Sequence, residues 1–273
     1  MDIDELAQRQ LDDYDRHQPG TLFAGYPIPM TVDESYQLQH AVARLRQQRG
    51  EAVAGYKIGC ISPVMQAQLG LTAPVFGHVF QTELKPSGVT LHSEDYAGLA
   101  IEGEFAVRLA TDIPDAEWLR RSPHQAISAG FPVIELHNYV FRNTPHNAQE
   151  LIANNAIHAG AVLPTDEAPL TDPAQLLDAA IQVTQNGITL GTATGRALPE
   201  GPFGSLIRLT EHLARFGQTL RGGQLVLTGS PLPLYRVNPG DWIEVTNDTS
   251  EPVTVSVSQP ITNFRKPAAV TLR

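Results

Sequence analysis

The run Leu99-Ala-Ile-Glu-Gly-Glu-Phe-Ala-Val-Arg-Leu109 constrains the fold more than any other stretch of this chain. Side chains alternate across a strand, so Ile101, Gly103, Phe105, Val107 and Leu109 share one face, apolar enough to be a core face. The opposite face carries Glu102, Glu104 and Arg108, with Ala100 and Ala106 beside them. Two carboxylates so close on one side of a strand repel, and each resists leaving water. Two arrangements relieve them. Either the face is solvated, as one side of an antiparallel sheet can be, or a divalent cation sits between the oxygens.

Glu135 lies in Phe131-Pro-Val-Ile-Glu-Leu-His137, which reads as a buried strand. A glutamate among such neighbours is salt-bridged, protonated or bound to metal, because a bare buried charge is expensive. With Glu102 and Glu104 it forms a candidate ligand set. Three carboxylates completed by water suit Mg²⁺ or Mn²⁺ better than Zn²⁺, which favours His and Cys. Lys57 stands in Gly55-Tyr-Lys-Ile-Gly59, where glycine inside a strand marks close approach of a ligand or another backbone. Buried, this lysine can serve as acid, base or oxyanion partner; the alternative is a surface lysine. Thr228-Gly229-Ser230 ends a strand and either offers N–H groups and two hydroxyls to a ligand or is a plain turn. Period two puts His137 on the face of Glu135, to ligate, to shuttle protons or to hydrogen-bond in the core. His158 has a weaker case, and Cys60 reads as a small buried residue. Nucleophile-elbow, phosphate-loop, dinucleotide and His-Glu-x-x-His patterns are absent.

The remaining segments predict an α+β chain. Residues 2–17 read as a polar helix with a stripe of Ile3, Leu6 and Leu11. The proline-rich connector Tyr26-Pro-Ile-Pro-Met30 leads to Thr31, which with Glu34 forms a capping box. Leu38, Val42 and Leu45 carry that helix to Gly50. A strand over 52–58 follows, then a short helix from Ser62-Pro63 to Leu69. Pro74 to Phe80 is extended or looped. Ser122-Pro123 opens a helix ending at Gly130, ahead of the Glu135 strand. Asn186-Gly187 turns a hairpin, Ser205 to Phe216 is an amphipathic helix, and strands over 224–228, 241–246 and 253–257 follow. Residues 1–70 are thus expected as a helical region packed on a mixed, strand-rich body over 71–273, in one structural unit. The net charge of −10 argues against nucleic-acid or anionic-membrane partners. It is compatible with a small anionic substrate, since one metal and one lysine suffice to hold a carboxylate. No apolar run is long enough to span a bilayer. The single cysteine and an acidic N-terminus predict a cytoplasmic protein.

Taken together, Gly55-Tyr-Lys-Ile-Gly59, Ser62-Pro63-Val-Met-Gln66, Pro74-Val-Phe-Gly77, Ile101-Glu-Gly-Glu-Phe105, Val133-Ile-Glu-Leu136, Val226-Leu-Thr-Gly-Ser230 and Pro239-Gly-Asp241 resemble one family. It is the 2-keto-4-pentenoate hydratase and 4-oxalocrotonate decarboxylase family, within the fumarylacetoacetate hydrolase superfamily. The resemblance implies a distorted mixed β-roll, a Mg²⁺ or Mn²⁺ site on Glu102, Glu104 and Glu135, and Lys57 in the active site. It further implies a lyase acting on 2-oxo or 2-hydroxydienoate acids from aromatic meta-cleavage, and a homo-oligomer. Water addition is the first expectation and decarboxylation the alternative. A C–C hydrolase is disfavoured because His92 stands well back from Glu102, and a binding relative that kept only the metal shell is the third reading. The chain departs from the family where an acid is expected soon after Phe76-Gly77, since Phe80-Gln81-Thr82 offers none until Glu83. Asn138-Tyr139-Val140 replaces an acid, a serine and an arginine, and Ala153-Asn-Asn-Ala-Ile157 lacks the family's acid and hydroxyl. His137, His158 or Tyr139 is expected to take over part of the proton handling.

Overall fold

The computed structural model describes residues 2–24, 28–140, 147–170, 172–248 and 250–259; Tyr26 and Pro27 of the connector lie outside them. Backbone hydrogen bonds of the extended segments close in two sheets. In chain order the strands are β1 (Val53–Gly59), β2 (Val75–Phe80), β3 (Leu84–Pro86), β4 (Val89–His92), β5 (Leu99–Leu109), β6 (Ile127–Asn138) and β7 (His158–Leu163). They continue as β8 (Ala180–Gln185), β9 (Ile188–Thr194), β10 (Leu225–Leu227), β11 (Tyr235–Arg236), β12 (Trp242–Asn247) and β13 (Val253–Ser258). The larger sheet runs β2-β1-β10-β5-β6-β7-β3, with β11 also paired to β5, and the smaller runs β4-β13-β12-β8-β9. Parallel and antiparallel pairs occur in both. Read in sequence as part of the N-terminal region, β1 is an inner strand of the larger sheet.

β5 has the bounds its alternation predicts. Its apolar face, with Ile134 and Leu136 of β6, joins Val183, Val245 and Val255 of the smaller sheet in one core. The tightest point is Gly103, where an added β-carbon would stand 2.5 Å from Val183 Cγ2. The glycine between the two glutamates is therefore where the second sheet closes on the first.

The helices are α1 (Ile3–Asp15), α2 (Val32–Gln48), α3 (Pro63–Leu69), α4 (Ala116–Arg121), α5 (Pro123–Ala126), α6 (Ala148–Ala153), α7 (Gln175–Asp178) and α8 (Gly201–Arg215). The Thr31 box forms: Glu34 N donates to Thr31 Oγ1 at 3.2 Å, and Thr31 N to Glu34 Oε2 at 2.7 Å. The segment at Pro74–Phe80 takes the extended alternative, as strand β2, fully buried against β1. Two expectations are corrected. The helix opened by Pro123 lasts to Ala126, because β5 offers ladder partners as far as Leu109 and takes Ile127, Ala129 and Gly130 into β6. Helix α8 begins at Gly201, before Ser205, since Pro202 is favourable in a first turn.

Helices α2 and α8 are seated on β2 by a cluster of buried histidines and aromatic rings. His212 stacks on Phe76 at 4.2 Å and meets Tyr36 at 4.4 Å; His40 lies 5.2 Å from His78 and 4.5 Å from Phe216. Burial depresses all three imidazoles, His40 to about 4 and His78 and His212 to about 3; mutual repulsion adds to this at His78 and His212. In the unfolded chain each titrates near ~6.5. The unfolded chain thus binds more protons between those values, and stability falls as pH drops from about 6.5 towards 4. Each histidine is expected to cost about 2 kcal/mol at pH ~5. Denaturant unfolding at pH 7 and 5 checks this: His78→Gln should flatten the dependence, and an unchanged slope would refute it.

Candidate functional site

The register of β5 against β6 sets Glu102 directly opposite Glu135, Glu104 opposite Val133 and Ala100 opposite His137. All these side chains therefore emerge on one face. Lys57 joins them, because it pairs with Leu227 and Leu227 pairs with Ala106. This face is not solvated. The larger sheet curls over it, and Ala106, Phe131, Val133, Leu225 and Leu227 form a second apolar cluster around its far half. Glu104 and Glu135 are 0% exposed and Lys57 2%, whereas the Glu102 side chain keeps 19%. Arg108, at the end of the same face, forks onto Glu167.

Glu135 is the hub. Lys57 Nζ lies 3.2 Å from its Oε1, and His158 Nδ1 lies 2.7 Å from the same oxygen. A carboxylate only accepts, so the His158 ring carries its proton on Nδ1. His137 Nε2 stands 3.2 Å from Glu102 Oε2 and 3.6 Å from Glu135 Oε2. Gly229 N donates to Glu104 Oε2 at 3.0 Å. Glu104 Oε1 and Glu135 Oε2 are buried, and neither receives a hydrogen bond from any donor among the described residues.

Electrostatics follow from this packing. Burial works against the Lys57 ammonium, but Glu135, Glu104 and Glu102 outweigh it and hold the group above its ordinary value. Burial, then repulsion from Glu135 and Glu102, pushes the Glu104 carboxyl well above the usual carboxylate range. Burial also opposes the Glu135 anion, yet Lys57, His137 and His158 together hold it below that range. With all three carboxylates ionised, one ammonium would leave an excess of negative charge, which a proton on Glu104 relieves when no cation is bound. A divalent cation would balance that charge and give the two undonated oxygens a partner. The donor set thus fits such an ion. Among the described residues, one group of donor atoms lies mutually within 4.8 Å: Glu102, Glu135 and His137. Glu104 adjoins it beside Glu135, whose charge adds to the rise of the Glu104 carboxyl.

The flanking glycines of Lys57 have physical reasons. A β-carbon at Gly55 would lie 1.8 Å from Leu225 O of β10, so another backbone makes the close approach there; at Gly59 it would lie 2.9 Å from Lys57 Nζ itself. The Thr228-Gly229-Ser230 turn behaves differently from a row of free donors. Thr228 Oγ1 donates to Phe105 O at 2.8 Å and Ser230 Oγ to Gly103 O at 3.0 Å, leaving the Gly229 N–H as the group turned to the carboxylates.

Glu102, Lys57 and His137 line a cavity of about 390 Å³, which Ser230, Tyr139 and Cys60 also line. Behind Glu135 the structure adds groups that sequence reasoning passed over. Glu83 Oε2 stands 3.9 Å from His158 Nε2; its Oε1 accepts from Arg46 Nη1 at 2.7 Å and from Tyr14 Oη at 3.1 Å. The acid that follows Phe76-Gly77 late in the sequence is therefore turned towards the histidine that holds Glu135. Its late position was the available signal.

No family model matches the chain. It is 30% identical over 217 residues to the 2-hydroxyhexa-2,4-dienoate hydratase of Comamonas testosteroni, covering 78% of this chain and 81% of that protein. To the 2-keto-4-pentenoate hydratase of Paraburkholderia xenovorans LB400 it is 27% identical over 216 residues, covering 79% and 80%. The solved structure of 4-oxalocrotonate decarboxylase from Pseudomonas putida G7, complexed with magnesium and adipate, has the same fold. It matches with a TM-score of 0.84 at 22% identity, over 93% of this chain and 97% of that one.

Proposed function

The chain belongs to the 2-keto-4-pentenoate hydratase family, and from that premise we propose a divalent-metal-dependent hydro-lyase of small 2-oxo and 2-hydroxydienoate acids, of the kind formed in aromatic meta-cleavage. One observation carries this reading: two buried carboxylates, Glu104 and Glu135, each with an undonated oxygen, meet the partly exposed Glu102 and one ammonium at the wall of a cavity. Glu102 and Glu135 would hold the ion, with Glu104 or His137 completing the protein's share. Its oxygen-rich donor set supports Mg²⁺ or Mn²⁺. When bound, such an ion supplies Lewis-acid stabilisation to a 2-oxo or enolate oxygen.

The chain's own groups handle orientation and protons. Lys57 brings a fixed positive charge and N–H donors to the cavity wall, where enolate charge develops when the dienol tautomerises. His137 lines the cavity with Nε2 on Glu102, which suits it to deliver a proton to carbon or take one from water. His158 and Lys57 both grip Glu135 Oε1 and so direct Oε2 towards Glu102 and His137. Among the described residues no helix is long and apolar enough to cross a membrane, and the single Cys60 supports the cytoplasm as the compartment.

The test is turnover of 2-hydroxypenta-2,4-dienoate followed by its ultraviolet absorbance. The expected result is loss of absorbance that requires Mg²⁺ or Mn²⁺, stops with chelator, and yields a product heavier by one water. Release of CO₂ from 2-oxohex-3-enedioate, whose second carboxylate can leave its electron pair to the enolate, with no water added to the dienoate, would make the enzyme a carboxy-lyase, and no metal-dependent change in either acid would refute the reading.

A further inference from the structure

Beyond the groups that meet the carboxylates, the cavity has a wall with its own chemistry. Met65 and Leu69 of α3, Leu151 of α6, Ile157, Leu232 and Leu234 all line it. Its space of about 390 Å³ is more than twice what a five-carbon acid occupies at liquid density, roughly 170 Å³. Backbone geometry shows that this wall is built. Asn155, Ala156 and Ile157 are three successive non-glycine residues at φ 55°, 51° and 56°, and Cys60, which also lines the cavity, has φ 51°. Left-handed backbone costs about 1–3 kcal/mol at a non-glycine residue and persists where surroundings over-determine it. Here they do. Asn155 extends the edge of β2 with its side chain, accepting from His78 N at 2.7 Å and donating to His78 O at 2.8 Å. Gln66 Nε2 donates to Cys60 O at 2.9 Å. At the rim, Met65 leaves 45% of itself in water, exposure that an apolar occupant would remove.

Resting on the hydro-lyase reading, we propose that the substrate's end remote from its carboxylate carries an apolar substituent of several carbons. A bare vinyl end would leave most of this wall wet, and a second carboxylate would have to be desolvated against leucine, isoleucine and methionine. The substrate class is a 2-hydroxydienoate or 2-oxo acid with an alkyl or aryl tail. Met65, Leu69, Leu151, Ile157, Leu232 and Leu234 set its specificity.

Saturated 2-oxo acids test this without turnover. Calorimetry of the full chain with Mg²⁺ compares pyruvate, 2-oxobutanoate, 2-oxohexanoate, 2-oxooctanoate and the dicarboxylate 2-oxoadipate. Burial of a methylene is expected to tighten binding about threefold, so 2-oxooctanoate should exceed 2-oxobutanoate by roughly a hundredfold. 2-Oxoadipate should bind more weakly than 2-oxohexanoate. Leu69→Ser and Leu234→Ser, at side chains that are only half-buried and so tolerate change, should reduce the slope of affinity against tail length. A flat slope, or tightest binding by 2-oxoadipate, overturns the tail while a bound 2-oxo acid leaves the hydro-lyase standing. Failure of every 2-oxo acid to bind overturns both.

Discussion

Replacing Lys57 by methionine is expected to lower turnover roughly a thousandfold while tightening the divalent cation by about tenfold. The two changes have one cause. The Lys57 side chain is 2% exposed, and its Nζ lies 3.2 Å from Glu135 Oε1 and in the field of Glu104 and Glu102 as well. Methionine keeps the length and apolar body of the side chain and deletes the ammonium, so an incoming cation no longer competes with a resident one. The substrate's developing negative charge loses its fixed partner at the same time. Without metal the variant also leaves the buried Glu135, with Glu104 and the partly exposed Glu102 beside it, lacking its ammonium, a loss of about 3–5 kcal/mol as when one partner of a buried ion pair is removed. Unfolding in chelator and in Mg²⁺ should therefore differ far more for Lys57→Met than for the parent chain. Steady-state kinetics, calorimetry and unfolding read the three effects separately. Unchanged turnover would remove Lys57 from the reaction, and a weakened cation would mean that the ammonium maintains the site instead of competing for it.

What could be read from the residues alone was what local chemistry determines. The β5 alternation, the Thr31 box and the Asn186-Gly187 hairpin each depend on neighbours a few positions away, and each forms as expected. The shared face of Glu135 and His137 followed from period two for the same reason. Long-range partners were illegible. Tyr14 reaches Glu83 across 69 positions and the His158 carbonyl across 144, and Gly229 N meets Glu104 across 125. The Thr228 and Ser230 hydroxyls show the limit most clearly. As a local motif they are free donors, but β10 lies beside β5 and the carbonyls of Phe105 and Gly103 claim them first. Likewise, nothing in Asn155-Ala156-Ile157 announces left-handed backbone; β2 imposes it through the edge that Asn155 completes. The sheet's curl, which turns a face that alternation alone left open to water into a buried one, is a property of the assembled ladder.

Glu104→Gln is expected to weaken Mg²⁺ at least a hundredfold and, in the same molecule without metal, to raise stability by about 1–3 kcal/mol. Glu104 is fully buried, its Oε2 accepts from Gly229 N, and its Oε1 has no donor. Desolvation and the Glu135 and Glu102 charges favour its protonated form. Glutamine imitates that form: its carbonyl can keep the Gly229 bond while its amide donates to Glu135, which the ionised carboxylate cannot do. The sign with pH follows from the raised value. A carboxyl that binds its proton more tightly in the fold than in the unfolded chain loses stability as pH rises, so the advantage of glutamine is largest near neutrality and shrinks towards pH ~4. Paired unfolding curves at pH 7 and 4.5 in chelator measure this, and calorimetry at pH 7 measures the ion. Loss of the cation together with a neutral-pH gain in stability would mark Glu104 as a ligand held at the fold's expense. Retained affinity would strike it from the ligand set and leave Glu102, Glu135 and His137, the donors that already stand within 4.8 Å of one another, to hold the ion.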